Sequence, residues 1–219
     1  TPPARMIGEP LTPAGGTSLG AVAFDPSGQR LAIGKLKGGV SLEVFVYDVA
    51  SLQIVRTVSQ NIVLDQLNAI NLDFIKKKLG ATDAAPKKKP QEGVVSLAFS
   101  ADGKFLAAGT RNGRIIVWNL SQEAGPTAEW QAHDGDVESV EFSADGSRLL
   151  SSRTETKQWN VSDWKPAAVA QWPSEWFAVH PDGRRVARCE NGTVLMGLLG
   201  DGGTQATWHR DLRGHRVAF

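Results

Sequence analysis

One phrase recurs four times along the chain, and it limits the fold more than any other feature. It reads Phe24-Asp25-Pro26-Ser27-Gly28, Phe99-Ser100-Ala101-Asp102-Gly103, Phe142-Ser143-Ala144-Asp145-Gly146 and Val179-His180-Pro181-Asp182-Gly183. Each copy joins two apolar alternating runs, and its Asp/Ser-Gly ending is tight-turn chemistry. The glycines of the last three copies are 43 and 37 residues apart. The first interval, 75 residues, shortens to 42 when the atypical stretch 60–92 is set aside as an insertion of 33 residues. Self-similarity at one period is the mark of a fold built from stacked identical units.

Within each unit the pattern predicts four short strands. In the second unit they are Val94–Phe99, Lys104–Gly109, Arg114–Asn119 and Thr127–Gln131, with Asn112-Gly113 as a second hairpin turn. The first unit gives Gly20–Phe24, Arg30–Gly34, Ser41–Val49 and Gln53–Val58, with an enlarged turn around Lys35–Gly39. The third gives Val137–Phe142, Ser147–Ser151, Thr156–Val161 and Ala167–Trp172. The fourth gives Trp176–Val179, Arg185–Cys189, Thr193–Leu198 and Gln205–Trp208. Strands of this length joined by tight turns form a meander, and a period near ~40 with four strands per unit describes a propeller blade. The expected architecture is all-β, an arc of four-stranded antiparallel blades with one helical, Lys-rich insertion. The expected boundaries are 1–18 for the outer strand of a preceding blade and a linker, 19–59 for a blade, 60–92 for the insertion, 93–131, 132–172 and 173–212 for three more blades, and 213–219 for the start of another.

These phrases resemble the WD-repeat β-propeller family. The residues that carry the resemblance are the Phe-Ser-x-Asp-Gly turns, the Trp118-Asn119 and Trp159-Asn160 pairs in place of Trp-Asp, Tyr47-Asp48, and the Ala132-His133 and Gly214-His215 pairs that look like the family's Gly-His corner. The resemblance implies a structural set of His, Ser/Thr, Asp and Trp locking each blade. His133, Ser151 and Trp159 match three of its positions in the third unit, with Arg153 where the Asp would stand. Thr110 and Trp118 match in the second unit, Asn112 replaces the Asp, and the insertion displaces the histidine. His215 is the corresponding corner residue near the end of the sequence. With no complete set, the blades are expected to rest on apolar packing more than on buried polar networks. Rings of this family usually have seven blades, roughly 280 residues at ~40 each. The 219 residues here therefore predict part of a larger protein, or an arc completed by another chain.

The insertion carries Leu64, Leu67, Ile70, Phe74 and Ile75 at near-helical spacing over 62–79, then Lys76-Lys77-Lys78 and Lys87-Lys88-Lys89. It reads either as a surface helix followed by a solvated lysine loop, or as a docking element for a protein groove or for phosphates. Asp65, Asp73, Asp83 and Glu92 offset the six lysines to +2. No aromatic residues interleave with them to stack on bases, so a nucleic-acid partner is the weaker version.

The balance of 24 Lys+Arg against 23 Asp+Glu exerts no global pull on nucleic acid or anionic membrane. Cys189 is the single cysteine, which fits a reducing, cytoplasmic setting. No apolar run approaches the ~18 residues of a membrane helix. The opening Thr1-Pro2-Pro3-Ala4-Arg5 lacks a methionine and an apolar stretch, and reads as a processed or trimmed start with no signal peptide.

The histidines His133, His180, His209 and His215 form no metal-type pair, and there is no Gly-Lys-Ser/Thr phosphate loop or Gly-x-Ser-x-Gly elbow. The expectation is a non-catalytic interaction scaffold without cofactor or metal, working through protein partners. Its contact residues would be Lys35, Lys37, Lys76, Lys77, Lys78, Lys87, Lys88, Lys89, Arg111, Asn112, Asp134, Asp136 and Arg153. Two alternatives stand beside it. One is the sensor propeller of a bacterial signalling ATPase or protease, suggested by the similarity of Arg5–Thr12 to linkers in such arrays. The other is a subunit of a ribonucleoprotein or membrane complex docked through residues 60–92. A channel enzyme such as a lactonase would need a ring of inward carboxylates, and none recurs at matching repeat positions.

Overall fold

Alternating apolar runs between hairpin turns do fold as strands here. The computed structural model describes residues 19–35, 41–61, 93–123, 125–167, 176–180, 182, 184–190, 193–199 and 204–209. Fifteen strands run in chain order: β1 (Leu19–Phe24), β2 (Arg30–Lys35), β3 (Ser41–Asp48), β4 (Ile54–Asn61), β5 (Val94–Phe99), β6 (Phe105–Thr110), β7 (Arg114–Asn119), β8 (Ala128–Gln131), β9 (Ser139–Phe142), β10 (Arg148–Ser152), β11 (Thr156–Asn160), β12 (Trp176–Val179), β13 (Arg185–Glu190), β14 (Thr193–Leu198) and β15 (Thr204–His209). They pair as the antiparallel meanders β1-β2-β3-β4, β5-β6-β7-β8, β9-β10-β11 and β12-β13-β14-β15. The third sheet ends on a bridge from Trp159 to Pro166, where an outer strand was expected. Residues 168–172 of that expected strand lie outside the described residues, as do 1–18, the helix expected over 62–79, and 213–219.

The repeated turn explains itself. Gly28, Gly103 and Gly146 sit at φ of 70°, 68° and 70°, a left-handed conformation that costs a glycine little. Ahead of them Asp25, Ser100 and Ser143 turn their side chains onto the backbone N–H five residues on, at Arg30 (2.8 Å), Phe105 (2.9 Å) and Arg148 (2.9 Å). The polar residue at the head of each phrase therefore satisfies a donor that the hairpin would otherwise leave unpaired.

Strand alternation sends side chains to both faces of each sheet, and the facing sides of successive sheets pack together. Ala32, Val46 and Val44 of the first sheet pack on Leu97, Phe99, Leu106, Ile116 and Trp118 of the second. The second sheet's other face, with Ala98, Ala107, Ile115 and Val117, meets Val140, Phe142, Leu149 and Trp159 of the third. Leu150 of the third then meets Phe177, Val179 and Val186 of the fourth. On the far face of the first sheet Ile33 and Tyr47 are buried, but Val22 and Phe24 of β1 are 62% and 63% exposed. The inner strands β1, β5, β9 and β12 border a shared cleft of about 290 Å³.

Candidate functional site

The turns β6–β7 and β10–β11 and the loop leading into β9 meet at one end of the second and third sheets. Hydrogen bonds hold them in register. Val137 N–H donates to Thr110 O (2.9 Å), His133 N–H to Gly113 O (3.0 Å) and Arg111 N–H to Gly93 O (3.0 Å). Gly113 is at φ +85°, and a Cβ there would lie 1.8 Å from the His133 carbonyl oxygen, so glycine is required for the turn to seat against the loop.

His133 anchors the loop from beneath. Its Nε2 lies 2.8 Å from Ser151 Oγ, and Trp159 Nε1–H donates to the same oxygen at 2.9 Å. With a neutral ring the hydroxyl accepts from the indole and donates to Nε2 of the imidazole. Burial first, then the Lys157 charge, pushes the His133 pKa down to about 4, and Arg153 adds to this while Glu155 opposes it. Three of the four residues implied by the resemblance thus form a buried network in the third sheet. Arg153, at the fourth position, lies against Gly135, where a Cβ would be 2.7 Å from its guanidinium carbon.

The second sheet lacks the histidine, and the consequence is visible. Thr110 donates to Asn112 Oδ1 and accepts from Arg114 N–H. Trp118, 1% exposed, has an indole N–H with no partner. The expectation of incomplete polar locks carried by apolar packing describes this sheet better than the third.

The expected contact residues fall into three groups. Asp134 and Asp136 are exposed, and Arg111, Asn112 and Arg153 are half-buried around them on the same loop cluster. Lys35 is engaged within its own hairpin, paired with Glu43 and 5.0 Å from the centre of the Phe45 ring. Lys37, Lys76, Lys77, Lys78, Lys87, Lys88 and Lys89 lie outside the described residues, as does the structural corner residue His215. Lys157 joins the cluster unexpectedly, donating from Nζ to Ala132 O (3.0 Å) and pairing with Glu155 (3.0 Å).

Three tryptophans fill a seam. Trp130 lies 5.2 Å from Trp159 and 6.1 Å from Trp164, and Trp164 meets Phe105 edge-on at 5.4 Å. Glu141 was not singled out by its residue type. Its carboxylate accepts from Val179 N–H (3.1 Å) across the third and fourth sheets, and burial pushes its pKa up to about 7. Aligning the repeats would have found it, because the matching positions hold Ala23, Ala98 and Ala178. Among the described residues no cluster of His, Cys, Asp and Glu could hold a metal ion, and no helix is long and apolar enough to cross a membrane.

Comparison with known proteins places these features. The family model for the WD domain, G-beta repeat, matches residues 87–119 and 125–159. The WD repeat-containing protein 91 homolog of Dictyostelium discoideum is 36% identical over 89 residues, 39% of this chain and 11% of that protein. Telomerase protein component 1 of Mus musculus is 27% identical over 203 residues, 89% of this chain and 6% of that protein. Apoptotic protease-activating factor 1 of Homo sapiens is 41% identical over 71 residues, 29% of this chain and 6% of that protein. The matches therefore span small fractions of these relatives' own lengths. A chain in a crystal structure of the mitotic checkpoint complex shares the fold, with a TM-score of 0.65 at 17% identity over 88% of this chain and 51% of that one.

Proposed function

Taking as premise that the chain belongs to the WD-repeat β-propeller family, we propose that it is a non-catalytic platform for protein partners. The observation that carries this reading is the cluster just described. Loops from two adjacent sheets are fixed by backbone hydrogen bonds and by the His133–Ser151–Trp159 network. They present Asp134 and Asp136 beside Arg111 and Arg153 on a rigid base. Fixed charges of both signs on a packed scaffold suit recognition of a protein surface, because little ordering entropy remains to be lost on binding. The uncovered side of β1 supports a further part of the reading, that additional blades, from this polypeptide or another, complete the arc.

A direct test replaces Arg111, Asp134, Asp136 and Arg153 together by alanine and compares the proteins recovered by affinity purification with those bound by the wild type. Circular dichroism establishes that the variant is folded. The expected result is loss of specific partners from a folded protein. Recovery of the same partners in the same amounts would show that binding uses another surface.

A second reading makes the platform a sensor within a longer signalling protein. The similarity to apoptotic protease-activating factor 1, 41% over 71 residues, favours it. The intact mass of the native polypeptide tests it. A chain well above 23.5 kDa that carries a nucleotide-binding region supports the sensor, and a chain near that mass refutes it.

A further inference from the structure

The seam between the third and fourth sheets is built differently from the other two. Across each sheet, one row of side chains faces the next sheet. In the first the row is Ala23, Ala32 and Val46. In the second it is Ala98, Ala107 and Val117. In the third the same row reads Glu141, Leu150 and Gln158. Glu141 finds a partner in Val179 N–H. Gln158 finds none: it is 4% exposed, and neither its amide oxygen nor its amide nitrogen is hydrogen-bonded. A buried carboxamide with both ends unpaired is costly, and native proteins keep few of them without a compensating ligand or water.

Gln158 lines a pocket of about 330 Å³ at the end of the strands opposite the loop cluster. The other walls come from Asp145, Ser147 and Arg148 of the third sheet's turn and from Arg184, Leu198 and Leu199 of the fourth sheet. Asp145 is already committed. Its carboxylate accepts from Ser143 Oγ and from Ser147 N–H and Oγ. Burial works against its charge, but these bonds and the nearby Arg148 hold its pKa below the ordinary value. The Arg148 charge is engaged by Asp145, whereas Arg184 stands exposed at the pocket's edge. The matching seam between the second and third sheets has Val117 in place of Gln158 and a turn-end pocket with no arginine in its lining.

We propose that this pocket binds an acidic peptide segment of a partner protein. The chemistry matches part by part. The exposed Arg184 guanidinium, with the Arg148 charge behind it, recognises a carboxylate side chain. The Gln158 carboxamide lies sealed beneath the pocket with donor and acceptor unpaired, and pairs with a main-chain peptide group as the seam opens to admit it. Leu198 and Leu199 receive an aliphatic neighbour. The inference deepens the platform reading by naming a class of partner, and it uses a surface at the other end of the strands from Arg111 and Arg153. Failure here would leave the alanine test of that cluster standing, and the reverse also holds.

The test is fluorescence anisotropy with the full chain and two fluorescein-labelled octapeptides, one alternating glutamate and leucine, the other glutamine and leucine. The acidic peptide should bind at least about tenfold more tightly, the discrimination expected when one charge-assisted contact is lost. Arg184→Glu and Gln158→Leu should each weaken it about tenfold. Lys104→Glu, on the neighbouring turn, should leave affinity within about twofold. The Gln158→Leu protein should also melt no lower than the wild type, because an unpaired amide is replaced by an apolar group of similar size. Equal binding of the two peptides, or unchanged binding by Arg184→Glu, would overturn the proposal. Arg184 is exposed, so its variant remains informative even if the core substitution perturbs folding.

Discussion

Replacing Glu141 by glutamine should steepen the rise of stability with pH, because it removes one of two opposed titrations. The half-buried Glu141 and the buried His133 titrate in opposite senses between pH 4 and 7. Glu141 has its pKa raised from 4.5 to about 7. Between those values the unfolded chain gives up its proton while the native state keeps it, so stability falls as pH rises. His133 has its pKa lowered from 6.5 to about 4. There the unfolded chain takes up a proton that the native state refuses, so stability rises with pH. At about 1.4 kcal/mol per tenfold change in proton affinity, each group commands about 3 kcal/mol, and the two slopes oppose one another from pH 4.5 to 6.5. Asp25, Asp102, Asp145 and Asp182, all lowered from 3.8, act only below this window. Glutamine keeps an acceptor for Val179 N–H and removes only the titration. Urea unfolding followed by tryptophan fluorescence at half-unit steps should then show Glu141→Gln gaining about 3 kcal/mol from pH 4 to 6.5. At pH 7.5 it should exceed the wild type by about 3 kcal/mol, because no charge is buried. A flat profile for the variant would refute the paired-titration account.

Ser151→Ala should cost about 2–3 kcal/mol in urea unfolding, since it strands both the His133 imidazole and the Trp159 indole, whereas Thr110→Ala should cost about 1, because Trp118 is already without a partner. Gly113→Ala should destabilise by more than about 3 kcal/mol, combining positive φ with a backbone clash, while Gly146→Ala, at φ +70° in open space, should cost only about 1; thermal melts of the pair separate the two causes. Phe24→Lys should change stability by less than about 0.5 kcal/mol yet reduce self-association in sedimentation velocity, because it charges the open side of β1; unchanged association would mean that this side is not adhesive.

Much of the fold was legible because it is written locally. A repeated turn phrase fixes where hairpins close, and alternation fixes which side chains leave the sheet on which face. The strands Val94–Phe99, Arg114–Asn119, Trp176–Val179 and Thr193–Leu198 follow from those two rules alone. The loop cluster was partly legible, since Arg111, Asn112, Asp134, Asp136 and Arg153 sit beside turns whose position the repeat dictates. What those residues touch was not. Lys35 reads as a free loop charge in sequence and is bound to Glu43 in the fold.

The seams were beyond a single unit's sequence. Whether Ser151 completes a hydrogen-bonded network depends on a histidine 18 residues earlier arriving 2.8 Å away. Whether Glu141 titrates near neutrality depends on the fourth sheet closing over it, and the unpaired amide of Gln158 is visible only once that closure is known. Turn residues and alternating polarity act through neighbouring atoms along the chain, so the sequence by itself determined the strands, their order and the repeat. Desolvation and hydrogen-bond pairing act through space between units, so only the tertiary structure decided which polar groups are satisfied, which are charged and which are left available to a ligand.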